Sequence, residues 1–305
     1  MEMKKKERLA ALGIIVCTLM WGAGFPALKA TEDLPAFLII AIRFIIAAIF
    51  LSAVFHRRFR LLNRTVVKNA FILSFLIFIM YVFATVGIRY TTSSKASFFS
   101  CLGFVIIPFL NWMIYKQKIS KITVASVAMC LAGIFLLSYS SDMGLSFALG
   151  DIICIGGSLA GSLQIVFLDR MTKDERNDPT LLSVLMMIFI AVYGSIAAVF
   201  TGAWQVRPAG FDWCVLIFIG LFCTAIAYLL QAVGQKYVPS TRVGIMCALE
   251  PASGAIFSAV LLGEQLGLFG WAGGAVIIAS LVFMEVMSAR TAPAESGEKE
   301  EGRSA

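Results

Sequence analysis

The chain has 305 residues, of which 60% are hydrophobic and 14% charged, and its formal net charge is +7. A soluble domain carries about 25% charged residues, so the composition excludes an ordinary soluble protein. The positive charge does not indicate nucleic-acid binding, because the basic residues cluster between apolar runs of membrane-spanning length. Short segments of alternating polarity, which are typical of a transmembrane β-barrel, do not occur in the sequence. We therefore predict an all-α integral membrane protein.

Ten apolar segments are long enough to be membrane spans. They lie at about residues 9–29, 35–55, 68–88, 95–115, 120–139, 148–168, 179–200, 212–234, 241–262 and 267–287. Residues 1–8 are basic and imitate a signal peptide, but the run that follows has no clean cleavage site, so we interpret them as a cytoplasmic N-terminus. Residues 289–305 are polar, and we expect them to form a disordered cytoplasmic tail.

Lysine and arginine are distributed very unequally between the two predicted faces. With the N-terminus in the cytoplasm, 20 of the 25 basic residues are cytoplasmic, four lie outside, and Arg43 lies within a span. Basic residues favour the cytoplasmic side of short loops. This distribution predicts that both termini are cytoplasmic.

A short motif, [RK]-Y-x-x-S-[ST]-[KR], occurs at Arg89–Lys95 and again 147 residues later at Lys236–Arg242. The spacing indicates an internal duplication into five-helix repeats at 9–139 and 148–288. Because five is an odd number, the two halves must insert in opposite orientations. The result is the inverted-topology repeat found in many secondary transporters. It puts the first motif copy outside and the second in the cytoplasm.

Three charged side chains are candidates for gating or charge pairing. Arg43 lies inside the second span, where it is either a cavity cation for an anionic substrate group or a clamp that binds backbone carbonyls or a carboxylate. Lys95 and Arg242 begin the fourth and ninth spans. Each either closes its own side of the membrane by pairing with neighbouring helices or simply extends to the interface.

Glu250 is the strongest single candidate for a functional residue, because it lies inside the ninth span next to Pro251. An ionisable group in a span usually faces the bundle interior or a wet cavity. The proline removes a backbone donor and kinks the helix. Glu250 is either a carboxylate that contacts the substrate or couples transport to protons, or a buried acid bonded to a neighbouring helix.

Polar and aromatic residues at similar depth predict a small-molecule cavity. The candidates are Trp21, Phe25, Tyr81, Gln164 and Tyr228. The alternative for each is ordinary hydrogen bonding or packing between helices.

No cofactor is expected. The chain has one histidine, His56, in a basic loop, and its seven cysteines lie in apolar runs without a C-x-x-C pair, so a metal or redox site has no support. A phosphate-binding G-x-x-x-x-G-K-[ST] loop is not present in the sequence, which argues against ATP-driven transport.

Several stretches together resemble the drug/metabolite transporter superfamily, EamA family. They are W-G-A-G-F-P-A-L-K in the first span, R-F-I-I-A-A in the second, Lys95–Pro108, G-D-I-I-C at the sixth, and L-E-P with L-L-G-E-Q-L near the ninth and tenth. The resemblance implies a ten-helix inverted-repeat transporter in a bacterial inner membrane. It implies a central cavity between spans one, three, four, six, eight and nine, where Trp21, Tyr81, Gln164, Tyr228 and Glu250 lie.

The chain departs from a symmetric pattern in two ways. The sixth span has no aromatic residue near Ala160 to match Trp21, and Pro108 and Pro251 differ in depth by about one helical turn. The expected function is alternating-access transport of small organic metabolites such as amino acids, and the expected direction is export. A passive facilitator on the same fold and, remotely, an integral-membrane enzyme are the alternatives. The expected partners are a small-molecule substrate and the lipid bilayer, with protons and the oligomeric state left open and no nucleic acid.

Overall fold

A computed structural model describes residues 2–31, 33–87, 90, 93–139, 148–263 and 267–291. None of the described residues lies in a β-strand, so this part of the chain is all-α. Its α-helices are α1 Glu2–Lys29, α2 Ala36–Val54, α3 Arg64–Gly87, α4 Ser93–Tyr115, α5 Lys121–Ser138, α6 Leu149–Lys173, α7 Pro179–Phe200, α8 Gly210–Gly220, α9 Ala227–Gln235, α10 Ser240–Cys247, α11 Leu249–Leu262 and α12 Leu268–Thr291. A π-helical turn, Leu221–Ile226, joins α8 directly to α9.

Within the described ranges, eight helical segments are long and apolar enough to cross a membrane. They are Met3–Lys29, Ala36–Val54, Arg64–Gly87, Leu149–Lys173, Pro179–Phe200, Gly210–Gln235, Ser240–Leu261 and Leu268–Met287. Two shorter apolar helices, Cys101–Tyr115 and Lys121–Leu137, lie in the predicted fourth and fifth spans. The protein is therefore a multi-pass membrane protein, while the count of ten spans and the side of the termini stay predictions.

Several helices extend beyond the predicted apolar spans, including α3, which begins at residue 64 instead of 68. The helix α1 begins at residue 2 instead of 9, α6 ends at 173 instead of 168, and α12 ends at 291 instead of 287. Hydropathy marks only the part of a helix that suits hydrocarbon, whereas the backbone hydrogen bonds continue past it. The expected disordered tail is thus helical at residues 289–291, and its remainder lies outside the described residues.

Local sequence signals explain several helix ends. The Asp178 side chain accepts a hydrogen bond of 2.8 Å from the Leu181 amide and caps α7, and Ser120 accepts one of 3.0 Å from Thr123 and caps α5. Both are favoured N-cap residues because their oxygens satisfy a free amide of the first turn. At the C-terminal end of α11, Gly263 adopts a left-handed conformation with φ of 70°. A glycine in this conformation ends a helix at little steric cost.

The ninth predicted span is broken into α10 and α11 at Ala248. Pro251, three residues later, lacks the amide that would bond the Cys247 carbonyl, so the break lies about one turn before the proline. Pro108, in contrast, lies inside the continuous helix α4. The two prolines therefore have different local effects, in keeping with their different depths.

The helices pair in the same way in both halves of the chain. The helix α6 packs against α3 and α4, and α1 packs correspondingly against α9 and α11, while α2 pairs with α7 and α5 with α12. At the α5–α12 seam the backbones nearly touch, because a Cβ atom on Gly273 would lie 2.6 Å from the Gly133 carbonyl oxygen. Close approach of this kind lets membrane helices gain van der Waals contact.

Two of the three apolar clusters in the described part of the bundle meet at α1. One lies mainly between α2, α3, α7 and α9, and the other mainly between α1, α4, α6, α10, α11 and α12. Trp21 packs against both clusters. The middle of α1 is therefore where the two cores meet, and the candidate site is found there.

Candidate functional site

An aromatic cluster connects α1, α2, α3 and α9 in the centre of the bundle. The ring centroids of Trp21 and Tyr228 are 5.3 Å apart, and the Phe44 ring lies 5.6 Å from Tyr81 and 6.2 Å from Tyr228. The two tyrosine hydroxyl oxygens are 3.5 Å apart, which is longer than a well-formed O–H···O bond. The structure thus brings together three of the predicted cavity residues and leaves both hydroxyls available to a third polar group.

Arg43 is the cation of this centre and is only 5% exposed. Its Nε donates a hydrogen bond of 2.8 Å to Thr224 Oγ1, and its Nη2 donates one of 3.3 Å to the Cys223 carbonyl. The guanidinium carbon lies 5.3 Å from the Tyr81 ring centre and 5.5 Å from that of Phe44. A buried guanidinium needs such partners because its loss of hydration is costly. These contacts match the carbonyl-clamp interpretation of Arg43, and no Nη1 partner occurs among the described residues.

The π-helical turn supplies both acceptors for Arg43. Thr224 Oγ1 donates to the carbonyl of Ile219, five residues earlier, at 2.8 Å. A π turn contains one residue more than an α turn, and such turns occur frequently at functional sites. Thr224 was not predicted from the sequence, since a π turn has no reliable pattern of residue types.

Glu250 lies in the first turn of α11, one residue before Pro251. The residue is partly buried. Within the described part of the chain, no hydrogen bond or ion pair engages its carboxylate. Its helix α11 packs against α1, the helix that carries Trp21. The bundle therefore contains one carboxylate, Glu250, and one guanidinium, Arg43, that are not hydrogen-bonded to each other in the described part of the chain.

Buried polar atoms without a partner surround this centre. Among the described residues, Trp21 Nε1, Gln164 Nε2 and Gln231 Oε1 are buried and make no hydrogen bond to the protein. An unsatisfied buried polar atom costs about 1–3 kcal/mol, so each of these is expected to bond water or a ligand. Gln231 lies three residues after Tyr228 and thus on the same face of α9. Gln231 is one of the polar residues that the sequence places at membrane depth, together with Gln164 and Asn111.

Phe25 is not assembled with the aromatic cluster, and for Lys95 the structure describes only the backbone. Phe25 is 44% exposed and packs against Gly254, where an added Cβ atom would lie 2.7 Å from the phenylalanine Cδ2. Lys95 lies in α4, but its side chain is outside what the structure describes, as is most of the first motif copy. The gating role of Lys95 therefore stays a prediction.

Arg242 belongs to a second site at the predicted cytoplasmic end. Its Nη2 bonds Glu285 Oε2 at 2.5 Å and its Nε bonds Glu285 Oε1 at 3.1 Å, while Nη1 bonds Glu7. These contacts tie α10 to α12 and to the start of α1. Arg242 thus pairs with neighbouring helices, as the gating interpretation of this residue requires.

A buried polar network supports the same end of the bundle. Ser240 donates to Asp169 Oδ2 through its amide at 3.2 Å and its hydroxyl at 3.0 Å, and Asn111 Nδ2 donates to Ser240 Oγ at 2.9 Å. The network joins α4, α6 and α10. Ser240 is part of the second motif copy, but the sequence gives no sign of its partner Asp169.

No group of three or more His, Cys, Asp or Glu side chains that could hold a metal ion occurs in the described part of the chain. The polar groups of the centre instead suit a small solute with both donors and acceptors. A carboxylate, a guanidinium, two hydroxyls and an indole N–H are groups that can bind and orient such a solute.

Comparison with known proteins identifies the family. The profile of the EamA-like transporter family matches residues 8–139 and 148–286. An uncharacterized transporter of Archaeoglobus fulgidus is 27% identical over 282 residues, covering 92% of this chain and 87% of that protein. The threonine/homoserine exporter RhtA of Salmonella typhimurium is 26% identical over 152 residues, covering 48% of this chain and 49% of its own length.

A crystal structure that is 17% identical in sequence superimposes with a TM-score of 0.81 and covers 94% of this chain and 99% of its own. At that identity the likeness concerns the fold alone. The family profile, in contrast, covers most of the chain in two successive segments. The chain belongs to the EamA-like transporter family of the drug/metabolite transporter superfamily and is a membrane transporter.

Proposed function

We propose that the protein exports small polar metabolites such as amino acids across a bacterial inner membrane by alternating access. The observation that carries the proposal is the buried guanidinium of Arg43, whose carbon lies 5.3 Å from the Tyr81 ring centre, next to the two tyrosine hydroxyls. An amino acid carries a carboxylate and an ammonium group. The free Nη1 donor of Arg43 suits the first and Glu250 suits the second. The similarity to a threonine/homoserine exporter supports the same class of solute.

The cytoplasmic cluster supplies a gate in this proposal. Arg242 holds α1, α10 and α12 together through Glu7 and Glu285. Entry of a solute from the cytoplasm requires these ion pairs to separate. Lys95 acts correspondingly at the outer end, and the two halves exchange conformations as the inverted repeat of the sequence predicts. Glu250 is the group through which protons are coupled to transport.

The first test of this function is ligand binding followed by transport. Purified protein is screened against a metabolite library by thermal unfolding, since a ligand of the folded state raises the apparent stability. The best ligand is then assayed in proteoliposomes. Stabilisation by amino acids with both charges, but not by their amides or deaminated analogues, is expected. Equal stabilisation by analogues that lack either charge would contradict the assignment of Arg43 and Glu250.

The coupling role of Glu250 is tested by Glu250→Gln, with the exposed residue Glu175→Gln as a matched charge control. Removal of the carboxylate should reduce substrate exchange at least tenfold and abolish its dependence on pH, while the control stays near wild type. If Glu250→Gln transports as well as wild type over a range of pH, Glu250 does not couple protons. Transport that needs only a substrate gradient would identify a passive facilitator.

The topology is tested with cysteines introduced next to Lys95 and next to Arg242. In the inverted repeat, a membrane-impermeant reagent labels the first from outside and the second from the cytoplasm. Labelling of both from one side would contradict the inverted arrangement.

A further inference from the structure

A basic cavity of about 510 Å³ opens where the start of α3 meets the end of α6. Its charged lining consists of four cations, Arg64, Lys68, Arg170 and Arg176, and one carboxylate, Asp174. The cavity lies at the end of two membrane-crossing segments, on the side that the charge distribution predicts to be cytoplasmic. Because the cavity lies at the ends of these segments, its excess of cations lies at the level of the lipid headgroups.

The single carboxylate is already occupied by its neighbour. Arg176 Nη2 bonds Asp174 Oδ2 at 2.6 Å, and these hydrogen bonds lower the pKa of the Asp174 carboxyl to about 2, so the pair stays charged and mutually neutralised. Arg64 and Lys68 have no carboxylate or hydrogen-bond partner among the described residues. Their charges are therefore available to an external anion.

Arg170 adds a third available charge that is held in position. Its guanidinium carbon lies 4.3 Å from the centre of the Tyr115 ring. A cation–π contact restrains the side chain without removing its positive charge. The cavity thus combines one restrained cation with two that have no partner among the described residues, and such cations can form charge-assisted hydrogen bonds to a phosphate.

An apolar groove of about 650 Å³ begins at the same two cations, Arg64 and Lys68. It continues along α3 and α7 and is lined there by Val67, Phe71 and Phe189. The Phe71 and Phe189 rings meet edge to face, with centroids 5.7 Å apart. Phe71 lies seven residues after Arg64, so the groove extends about 10 Å along the helix, toward the hydrocarbon core.

We infer that this composite site binds an anionic phospholipid of the cytoplasmic leaflet. The phosphate headgroup lies in the basic cavity between Arg64, Lys68 and Arg170, and one acyl chain lies in the groove on Phe71 and Phe189. A zwitterionic lipid would leave the excess cations uncompensated, and a free anion would leave the groove uncovered. Basic pockets between membrane helices at this surface are suited to anionic headgroups.

Native mass spectrometry of the full chain, titrated with phosphatidylglycerol and with phosphatidylcholine, tests the site. Wild type should bind phosphatidylglycerol at least tenfold more tightly. The double variant Arg64→Gln with Lys68→Gln should weaken that binding about 10- to 30-fold, because each basic residue near an anionic membrane contributes about 1 kcal/mol. The binding of phosphatidylcholine should not change. Lys118→Gln with Lys121→Gln is the matched control, because it removes two exposed cations outside both cavities.

The groove is tested separately by Phe71→Ala, which keeps every cation. This variant should weaken the binding of long-chain phosphatidylglycerol and have little effect on the binding of a dihexanoyl analogue. Three results would overturn the inference: equal loss in the lysine control pair, equal affinity for both lipids in wild type, or displacement of the lipid by millimolar glycerol 3-phosphate. Thermal unfolding of each variant establishes that it is folded. Lys68→Arg keeps the positive charge and should retain the binding of phosphatidylglycerol.

Discussion

The hydroxyl oxygens of Tyr81 and Tyr228 lie 3.5 Å apart, although 147 residues separate the two tyrosines. The same interval separates the two motif copies, and α10 and α12 also begin 147 residues after α4 and α5. In a chain of two related halves, equivalent residues can touch only where the axis that relates the halves passes between them. The tyrosine pair therefore marks that axis, and the axis runs through the centre of the candidate site.

Tyr81→Phe and Tyr228→Phe should have similar effects, because the two hydroxyls occupy equivalent positions. Each loses one hydrogen bond to the solute, worth about 0.5–1.5 kcal/mol, so the KM for transport should rise about two- to tenfold with little change in thermal stability. The effects should not add in the double variant if both hydroxyls bond the same group. Tyr139→Phe, at an exposed tyrosine, is the control. An unchanged KM in both single variants would remove the pair from the solute site.

Thr224→Val should destabilise the protein, because it removes the acceptor of the Arg43 Nε donor inside the bundle. An unpaired buried donor costs about 1–3 kcal/mol, which thermal unfolding in detergent should detect. Thr224→Ser keeps the hydroxyl and should restore most of the loss. Thr201→Val removes a similar hydroxyl at an exposed helix end and should have little effect. A neutral Thr224→Val would mean that the clamp does not stabilise the fold.

Arg242→Gln should open the predicted cytoplasmic end by breaking the ion pairs to Glu7 and Glu285. Cys247, which is fully buried five residues further along the chain, is a native reporter. If the pairs contribute about 1.4 kcal/mol to closure, the open population rises about tenfold, and Cys247 should react correspondingly faster with a maleimide in inside-out vesicles.

Two further variants make the Arg242 result specific. Lys236→Gln removes an exposed cation from the same connector and should leave the labelling rate unchanged. Arg242→Glu combined with Glu285→Arg reverses one ion pair and should slow the labelling again. Equal rates in wild type and Arg242→Gln would show that these pairs do not hold the end closed.

Gly22→Ala should destabilise the contact between α1 and α11. A Cβ atom at Gly22 would collide with Ser253 Oγ and lie 2.9 Å from the backbone nitrogen of Gly254. Overpacking of this kind costs about 1–3 kcal/mol, and Ser253→Ala should not relieve it because the backbone remains. Gly210→Ala is the matched control, since its Cβ would meet nothing within 4 Å. Similar unfolding temperatures for Gly22→Ala and wild type would contradict this packing.

Much of the fold was accessible from the sequence because membrane spans are encoded by hydropathy over some 20 residues. The central tyrosines were also accessible, since their spacing equals that of the motif copies. The partners of Arg43 were not, because they depend on a π turn that no residue type specifies. Neither was the Ser240–Asp169 contact, which joins residues that are 71 apart in the chain and is determined only when α6 packs against α10.

The π turn has a consequence for how the site is encoded. One additional residue rotates all that follows by about 100° around a helix. Tyr228 comes directly after the turn, so its direction depends on the number of residues between Leu221 and Ile226 as much as on their identities. Deleting Phe222, which is exposed, would rotate Tyr228 away from Trp21 without removing either acceptor of Arg43. The direction of Tyr228, and with it the shape of the candidate site, therefore depends on the number of residues in this turn. A comparison of residue types alone does not reveal that dependence.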